Sequence, residues 1–271
     1  MSNKLNFYQE SLCDKNIKME FNFFLKEKLH FNDKDIFIDN HRLLTKAEDS
    51  LIQEFFKQKE EGIPLDYILN STQFYESDFY VDSRVLIPRP ETEILVEYVN
   101  NNLNDNLKVL DAGTGSGCIG ISIALKKPNF KIYGSDFSMN ALDVASKNKT
   151  NLNVKNFFVI NADWLSCFKN ESFDLILSNP PYIAEDDLHL KDLTHEPRIA
   201  LTSDDEGLGD IKKIIRQANK ILKKRGILMI EHGYNQENEV KNIFIDNNFT
   251  DVCNIKDHQT LPRVTLGILD K

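Results

Sequence analysis

Four consecutive residues, Asn179-Pro180-Pro181-Tyr182, carry the most specific chemical signal in the chain. They follow an apolar run, Phe173–Ser178, that reads as a strand. Two prolines in succession fix φ and remove two backbone donors, so their carbonyls are left as free acceptors. Asn179 adds a side-chain carbonyl and Tyr182 an aromatic face. Such a turn suits an NH2 group on a flat conjugated system. Asn179 and the Pro180 carbonyl can each accept one N–H, which draws electron density to the nitrogen and aims its lone pair, Pro181 stiffens the turn, and Tyr182 stacks on the plane. Transfer of an electrophilic carbon to that nitrogen then depends on orientation and electrostatic fit, not on a strong base. No His or Cys lies in the motif. Taken alone, Pro-Pro is better read as a rigid turn with a structural Tyr; its place after the fourth strand of a ligand-binding sheet is what favours the chemical reading.

A second cluster says what that sheet binds. An apolar strand runs into Asp111-Ala112-Gly113-Thr114-Gly115-Ser116-Gly117. Gly113, Gly115 and Gly117 lack a Cβ and let the backbone, with Thr114 and Ser116, bend tightly against a ligand. Dinucleotide enzymes use a similar turn, so the glycines alone leave the ligand open. Asp111 narrows it: a carboxylate repels a pyrophosphate but tolerates the cationic amino acid end of S-adenosylmethionine. The next strand ends at Asp136, where a carboxylate can accept from both ribose hydroxyls. A third ends at Asn161-Ala162-Asp163-Trp164, where Asp163 can bond an adenine amino group and Trp164 either covers the ring or belongs to the core. Asp111 or Asp136 singly could be an ordinary turn or cap residue; at successive strand ends they point together to a nucleoside. The reaction is then an in-line methyl transfer with sulfur leaving.

These residues need a parallel sheet to bring strand ends together. From about residue 91 strands and helices alternate: Lys108–Asp111, a helix from Gly117, Lys131–Ser135, a helix from Ser138, Phe157–Asn161, Phe173–Ser178, a helix over Asp210–Lys224 stopped by Gly226, Ile227–Glu231 and a helix over Glu237–Asn247. Val264–Leu269 reads as a last antiparallel strand at the edge. This is an α/β pattern with helices on both faces of the sheet. Residues 1–70 differ: they are charged and helical, with Phe21, Phe24, Leu25 and Leu29 on one stripe. A capping box at Thr45 and Glu48 starts a second stripe of Leu51, Ile52, Phe55 and Phe56 that Gly62 ends. Residues 71–90, with strands at Thr72–Phe74 and Phe79–Leu86, read as a hairpin joining 1–70 to 91–271.

Composition excludes several classes. The net charge is −9, and the densest basic run, Lys220–Arg225, falls at the end of a predicted helix, so no basic stripe offers a grip on nucleic acid. Cys13, Cys118, Cys167 and Cys253 are scattered and the six His form no paired spacing, which predicts neither a disulfide framework nor a metal site. No apolar run approaches the ~18 residues a membrane span requires. A soluble cytoplasmic monomer is the expectation.

With these motifs in place, the chain resembles the HemK/PrmC group of peptide chain release factor N(5)-glutamine methyltransferases. The resemblance rests on Asp111–Gly117 and Asn179–Tyr182 together with Leu86-Ile-Pro-Arg-Pro-Glu-Thr-Glu93, Gly62-x-Pro64-x-x-Tyr67, Gln73-Phe74-Tyr75, Glu196-Pro197 and Glu231-His232-Gly233. It implies a seven-stranded Rossmann-like class I methyltransferase sheet with a small N-terminal helical bundle that helps hold the substrate. It implies S-adenosyl-L-methionine as cofactor and, as substrate, the glutamine of the Gly-Gly-Gln motif of class 1 release factors. Asn179, Pro180 and Tyr182 would bind the amide, while Gly113–Gly117, Asp136 and Trp164 hold the cofactor. Arg89 and Glu196 would shape the substrate side, although Arg89 fits a domain-interface salt bridge equally well. Two features depart from the pattern: residues 1–70 match only in helical character, and Asp257–Arg263 lacks the glycine expected before the Arg. The alternatives are a methyltransferase for a ribosomal-protein glutamine, an adenine-amino nucleic acid methyltransferase, and a binding module without catalysis.

Overall fold

Helix spacing and caps act locally in the first seventy residues, where α1 (Leu5–Ser11), α2 (Lys15–Leu29), α3 (Asp33–Phe37), α4 (Lys46–Glu60) and α5 (Leu65–Leu69) follow one another. The computed structural model describes residues 3–104 and 106–270. Its contacts divide the chain into two compact units, Met1–Ser71 and Thr72–Lys271. In the first, Thr45 and Glu48 cap each other reciprocally, at 3.2 Å and 2.7 Å, and start α4. Phe21, Phe24, Leu25, Ile52 and Phe55 form the core, with Phe24 and Phe55 at 4.6 Å between ring centroids. Leu51 departs from the expected stripe and is 48% exposed. It stands one residue, about 100° around the helix, from Ile52, while Ile52, Phe55 and Phe56 share a face. Gly62 ends the helical run at φ 81°.

The second unit opens with a hairpin, β1 (Thr72–Phe74) against β2 (Ser77–Phe79). The expected strand Phe79–Leu86 stops at Phe79, because Asp82 folds the chain back. Its carboxylate accepts the Arg84 N–H at 3.1 Å and pairs with the Arg84 guanidinium at 2.7 Å. A 3-10 turn, Pro90–Thr92, leads into α6 (Glu93–Asn102). Then β3 (Lys108–Ala112), α7 (Cys118–Lys126), β4 (Lys131–Asp136), α8 (Met139–Asn151), β5 (Phe157–Asn161) and β6 (Phe173–Ser178) alternate. Next come the paired β7 (Ile183–Ala184) and β8 (Thr202–Ser203) and the tight turn α9 (Asp204–Gly207). Last are α10 (Gly209–Ile221), β9 (Leu222–Glu231), α11 (Glu237–Asp246), β10 (Phe249–Lys256) and β11 (Pro262–Leu269).

The seven-stranded sheet has the order β10-β11-β9-β6-β3-β4-β5. From β5 to β9 the pairs are parallel, and β11 runs antiparallel to both neighbours. Alternation along each strand splits the core in two. Val109, Leu175, Leu177 and Met229 face α6, α7 and α8. Leu110, Ile176, Leu228 and Ile230 face α10 and α11. Burial on both faces is why these strands read as continuous apolar runs.

Two expectations fail near the C-terminus. The α10 helix ends at Ile221, not Lys224, and Gly226 stops nothing. Leu222, wholly buried, already pairs with Phe173, so Lys223–Arg225 belong to β9 and only Lys220 of the basic run lies in the helix. The last strand is not the edge either: β11 is inserted between β9 and β10, and β10 was not foreseen. The turn before Arg263 manages without glycine. Asp257 accepts from the Gln259 and Leu261 N–H groups, each at 2.9 Å, while Thr260 takes a left-handed φ of 67°.

Phe157 keys the parallel strands to α7. A Cβ on Gly134 would lie 2.4 Å from its ring, and one on Gly120 2.5 Å. Phe157→Ala is expected to cost about 3–5 kcal/mol in urea denaturation, whereas Leu125→Ala, 42% exposed on the same sheet-facing helix, should stay within about 0.5 kcal/mol.

Candidate active site

Parallel register sets strand ends level. Ala112 pairs with both Ser135 and Ser178, and Asp136 pairs with Asn161, so the turns that follow four strands meet at one end of the sheet. They enclose a cavity of about 390 Å³, within the range of small-molecule sites. Its wall takes Gly113, Thr114, Gly115 and Ser116 from the turn after β3, and Asp136 from β4. Asp163 and Trp164 enter from beyond β5, and Asn179 and Pro181 from beyond β6. Asp111, Gly117, Pro180, Tyr182, Arg89 and Glu196, also singled out from the sequence, do not line it.

Asp111 stands behind the wall. Its Oδ2 accepts the Thr114 hydroxyl at 2.6 Å and the Gly120 N–H at 3.0 Å, tying the glycine turn to α7. Its Oδ1 is buried without a partner among the described residues. Burial pushes this carboxyl up to about 6, with the charge of Asp136 adding to the effect. Gly117 heads α7 at φ 83° and serves the bend. Asp136 accepts from the Gly115 and Ser138 N–H groups, both at 2.9 Å, and burial raises its pKa as well. Carboxylates so placed are acceptors waiting for donors.

Trp164 both lines the cavity and joins the periphery of the α10 core. Its backbone is left-handed at φ 51°, and its Nε1–H donates to Asp210 at 2.9 Å. Ser203 in turn donates to Asp210 at 2.9 Å. Gly113 makes room for the ring: a Cβ there would come within 2.8 Å of it. Asp163 is already paired, with the Lys213 ammonium at 2.8 Å, and Lys213 is itself in the wall. Asp210 and Lys213 were not foreseen. They sit on the polar side of α10, and nothing in that helix's sequence distinguishes them from a solvated face. Phe137, 68% exposed yet lining the mouth, gave no signal either.

At the other end the Asn179 NH2 donates to the Thr92 hydroxyl at 3.1 Å, which leaves its carbonyl oxygen as the free acceptor. Thr92 also lines the cavity and is only 2% exposed. Pro180 is buried beneath the wall. The Tyr182 hydroxyl donates to Glu231 at 3.4 Å, and its carbonyl accepts from the Gln236 amide at 3.1 Å, so this ring packs beside the α10 core. Arg89 pairs with Glu196, whose other oxygen accepts the Ile87 N–H at 3.0 Å. Both partners lie within the second unit, so this salt bridge braces the segment before α6.

An open α/β sheet with an antiparallel seventh strand, and a cavity over the carboxyl ends of its middle strands, is the class I methyltransferase fold. The methyltransferase domain model matches residues 103–265. Among solved structures, a methyltransferase from Pyrococcus furiosus shares the fold, with a TM-score of 0.57 at 15% identity over 84% of this chain and all of that one. The chain belongs to the release factor glutamine methyltransferase family. It is 37% identical over 218 residues to the Shewanella oneidensis release factor glutamine methyltransferase, covering 79% of this chain and 76% of that protein. With the Escherichia coli protein of that name it shares 35% identity over 227 residues, 83% and 82% of the two chains.

Because the chain has a single Trp and that residue lines the cavity, its fluorescence reports on the site. Gly113→Ala forces a Cβ at φ 75° toward that ring, at a backbone cost of about 1–2 kcal/mol. The expected outcome is an altered emission spectrum without ligand and a loss of ligand affinity of ~5- to 30-fold.

Proposed function

We propose that this protein transfers a methyl group from S-adenosyl-L-methionine to the side-chain amide nitrogen of the glutamine in the Gly-Gly-Gln motif of a class 1 peptide chain release factor, with S-adenosyl-L-homocysteine as the second product. The observation that carries the reading is the state of Asn179. Its NH2 is occupied by Thr92, so its carbonyl is what the cavity offers, beside a buried Pro-Pro turn. That carbonyl can accept an N–H of a planar amide and help aim its nitrogen. Family membership and the names of the relatives support glutamine over other planar amides.

The residues present fit the cofactor. The glycine turn is a cradle without Cβ atoms: a Cβ at Gly115 would meet nothing described within 4 Å. Asp136 is an under-solvated carboxylate in the wall, suited to ribose hydroxyls, and the orphaned Oδ1 of Asp111 biases the turn toward a cationic amino acid end. Gly113–Gly117, Asp136, Asp163 and Trp164 would hold the cofactor, Asp163 on condition that Lys213 shares it. When bound, the cofactor supplies a methyl group on a sulfonium, an electrophile needing no metal activation. Asn179 and Pro180 would hold the amide, with Pro181 fixing the turn and Tyr182 setting its far side through Glu231. Arg89 and Glu196 would shape the substrate side from behind. Among the described residues no cluster could hold a metal ion, and no helix is long and apolar enough to cross a membrane.

In this reading residues 1–70 recognise the release factor, 71–90 link, and 91–271 bind the cofactor and react; the protein works as a monomer in the cytoplasm. A nucleic acid substrate is disfavoured by the net charge of −9, since a grip on phosphates needs a basic surface. The test is methyl transfer from labelled cofactor to a release factor, to the same factor with its motif glutamine replaced, and to DNA. Label is expected only in the intact factor; label in DNA would reject the proposal. Asn179→Ala is expected to lower turnover by at least ~10²-fold while cofactor affinity stays within a few-fold.

A further inference from the structure

Three consecutive residues beyond β5 are each held by one residue of α10. Asp163 pairs with the Lys213 ammonium at 2.8 Å, the Trp164 Nε1–H donates to Asp210 at 2.9 Å, and the Leu165 N–H donates to the Gln217 side-chain carbonyl at 2.9 Å. Asp210, Lys213 and Gln217 recur at helical spacing, each one residue before the buried Ile211, Ile214 and Ala218. They form a polar stripe along the edge of the apolar face, and that stripe grips a stretch of the cavity wall.

Trp164 needs the grip. Its backbone is left-handed at φ 51°, a region that bulky residues avoid. Gly113 offers the ring bare backbone and no side chain to lock against. An indole has one donor and no acceptor, so the bond to Asp210 is the one hydrogen bond available to orient it.

Asp210 is itself held from the other side. Its Oδ2 accepts the Ser203 hydroxyl at 2.9 Å, and its backbone N–H donates to the same Ser203 oxygen at 2.9 Å. Ser203, 4% exposed, lies in β8 and pairs with Ala184 of β7. The β7 strand follows Asn179–Tyr182 with no residue between, and Pro197, Ile199 and Ala200, just before β8, line the cavity. A path of three hydrogen-bonded side chains, Trp164, Asp210 and Ser203, thus joins the wall beyond β5 to the segment 183–203, which starts at the Asn-Pro-Pro-Tyr turn and returns to the cavity.

We propose that Asp210 and Ser203 are positioning residues: Asp210 orients Trp164 as a wall of the cofactor site, and Ser203 ties that wall to segment 183–203, so that cofactor and release factor tighten each other's binding. This rests on the function proposed above and deepens it, since the protein takes up its acceptor best with the methyl donor in place. A nucleoside against the Trp164 ring favours the orientation that Asp210 holds, and through Ser203 that orientation steadies β8. Contacts of the factor with segment 183–203 favour the same arrangement, and by linkage the two gains are equal. A carboxylate suits the position because both of its oxygens accept, one from the indole and one from the hydroxyl. Asp210→Asn keeps a carbonyl for the indole, whereas Asp210→Ala keeps a partner for neither neighbour.

The experiment compares wild type, Asp210→Ala, Asp210→Asn and Ser203→Ala. It reads the Trp164 emission, the affinity for S-adenosyl-L-homocysteine, and the affinity for an intact release factor with and without saturating S-adenosyl-L-homocysteine, which binds without reacting. Thermal unfolding checks that each variant is folded. Wild type is expected to bind the factor at least ~5-fold more tightly when S-adenosyl-L-homocysteine is present. Asp210→Ala should shift the emission, weaken S-adenosyl-L-homocysteine by ~3- to 30-fold and abolish the gain for the factor. Asp210→Asn should keep the wild-type emission and recover most of the affinity. Ser203→Ala should keep the emission, hold S-adenosyl-L-homocysteine within ~3-fold of wild type and still lose the gain. Wild-type emission and affinity in Asp210→Ala, or equal losses in the Ala and Asn variants, would overturn the role of Asp210. A wild type whose affinity for the factor ignores S-adenosyl-L-homocysteine, or a Ser203→Ala variant with the full gain, would overturn the tie. Should Asp210→Ala fail to fold, wild type and Ser203→Ala still decide the matter. Wild type failing to label the intact factor would instead overturn the proposed function, while emission and S-adenosyl-L-homocysteine affinity still test Asp210.

Discussion

Parallel pairing around β3 is the constraint on which the rest of the molecule depends. With Ala112 level with Ser135 on one side and Ser178 on the other, the chain must leave successive strands at the same height and in the same direction. The turn with the glycines, the carboxylate of Asp136 and the Asn-Pro-Pro turn are distant in sequence, and this register alone makes them neighbours. It also demands burial on both faces, so the fit of Phe157 against Gly120 and Gly134 contributes to the site's geometry as well as to stability.

The electrostatics of the site follow from how little water reaches it. Asp111, Asp136 and Glu231 are all held above the usual carboxylate range by burial. Asp111 braces the glycine turn, Asp136 starts α8 and Glu231 accepts from Tyr182, while one oxygen each of Asp111 and Glu231 is buried without a partner among the described residues. Such carboxylates are costly unless donors arrive. A ligand that brings hydroxyls and a positive charge would offset that cost. Asp111 and Tyr182 do not line the cavity: Asp111 braces the glycine turn, and the Tyr182 hydroxyl donates to Glu231.

Much of the fold is legible in the residues. The boundaries of β5 and β6, the capping box at Thr45 and the start of α8 at Ser138 follow from patterns that span a few residues and depend on local hydrogen bonds. Failures occur where a distant partner outbids local preference. Leu222 leaves a helical pattern because Phe173 offers it a place in the sheet, and β10 forms without an evident signal because β11 supplies its ladder.

The sequence by itself determined the kind of ligand and the kind of chemistry. A glycine turn after an acidic strand end, a second acid one strand later and an Asn-Pro-Pro-Tyr turn are statements about donors, acceptors and missing Cβ atoms, properties that reside in residue types and short spacings. Only the tertiary structure decided which of those groups reach the cavity and which way they point. Thr92, Asp210 and Lys213 come from segments far along the chain, and their roles exist only because packing places them beside Asn179, Trp164 and Asp163. A hydrogen bond between residues 87 apart in the chain leaves no mark on either local sequence, since its partner is chosen by the fold.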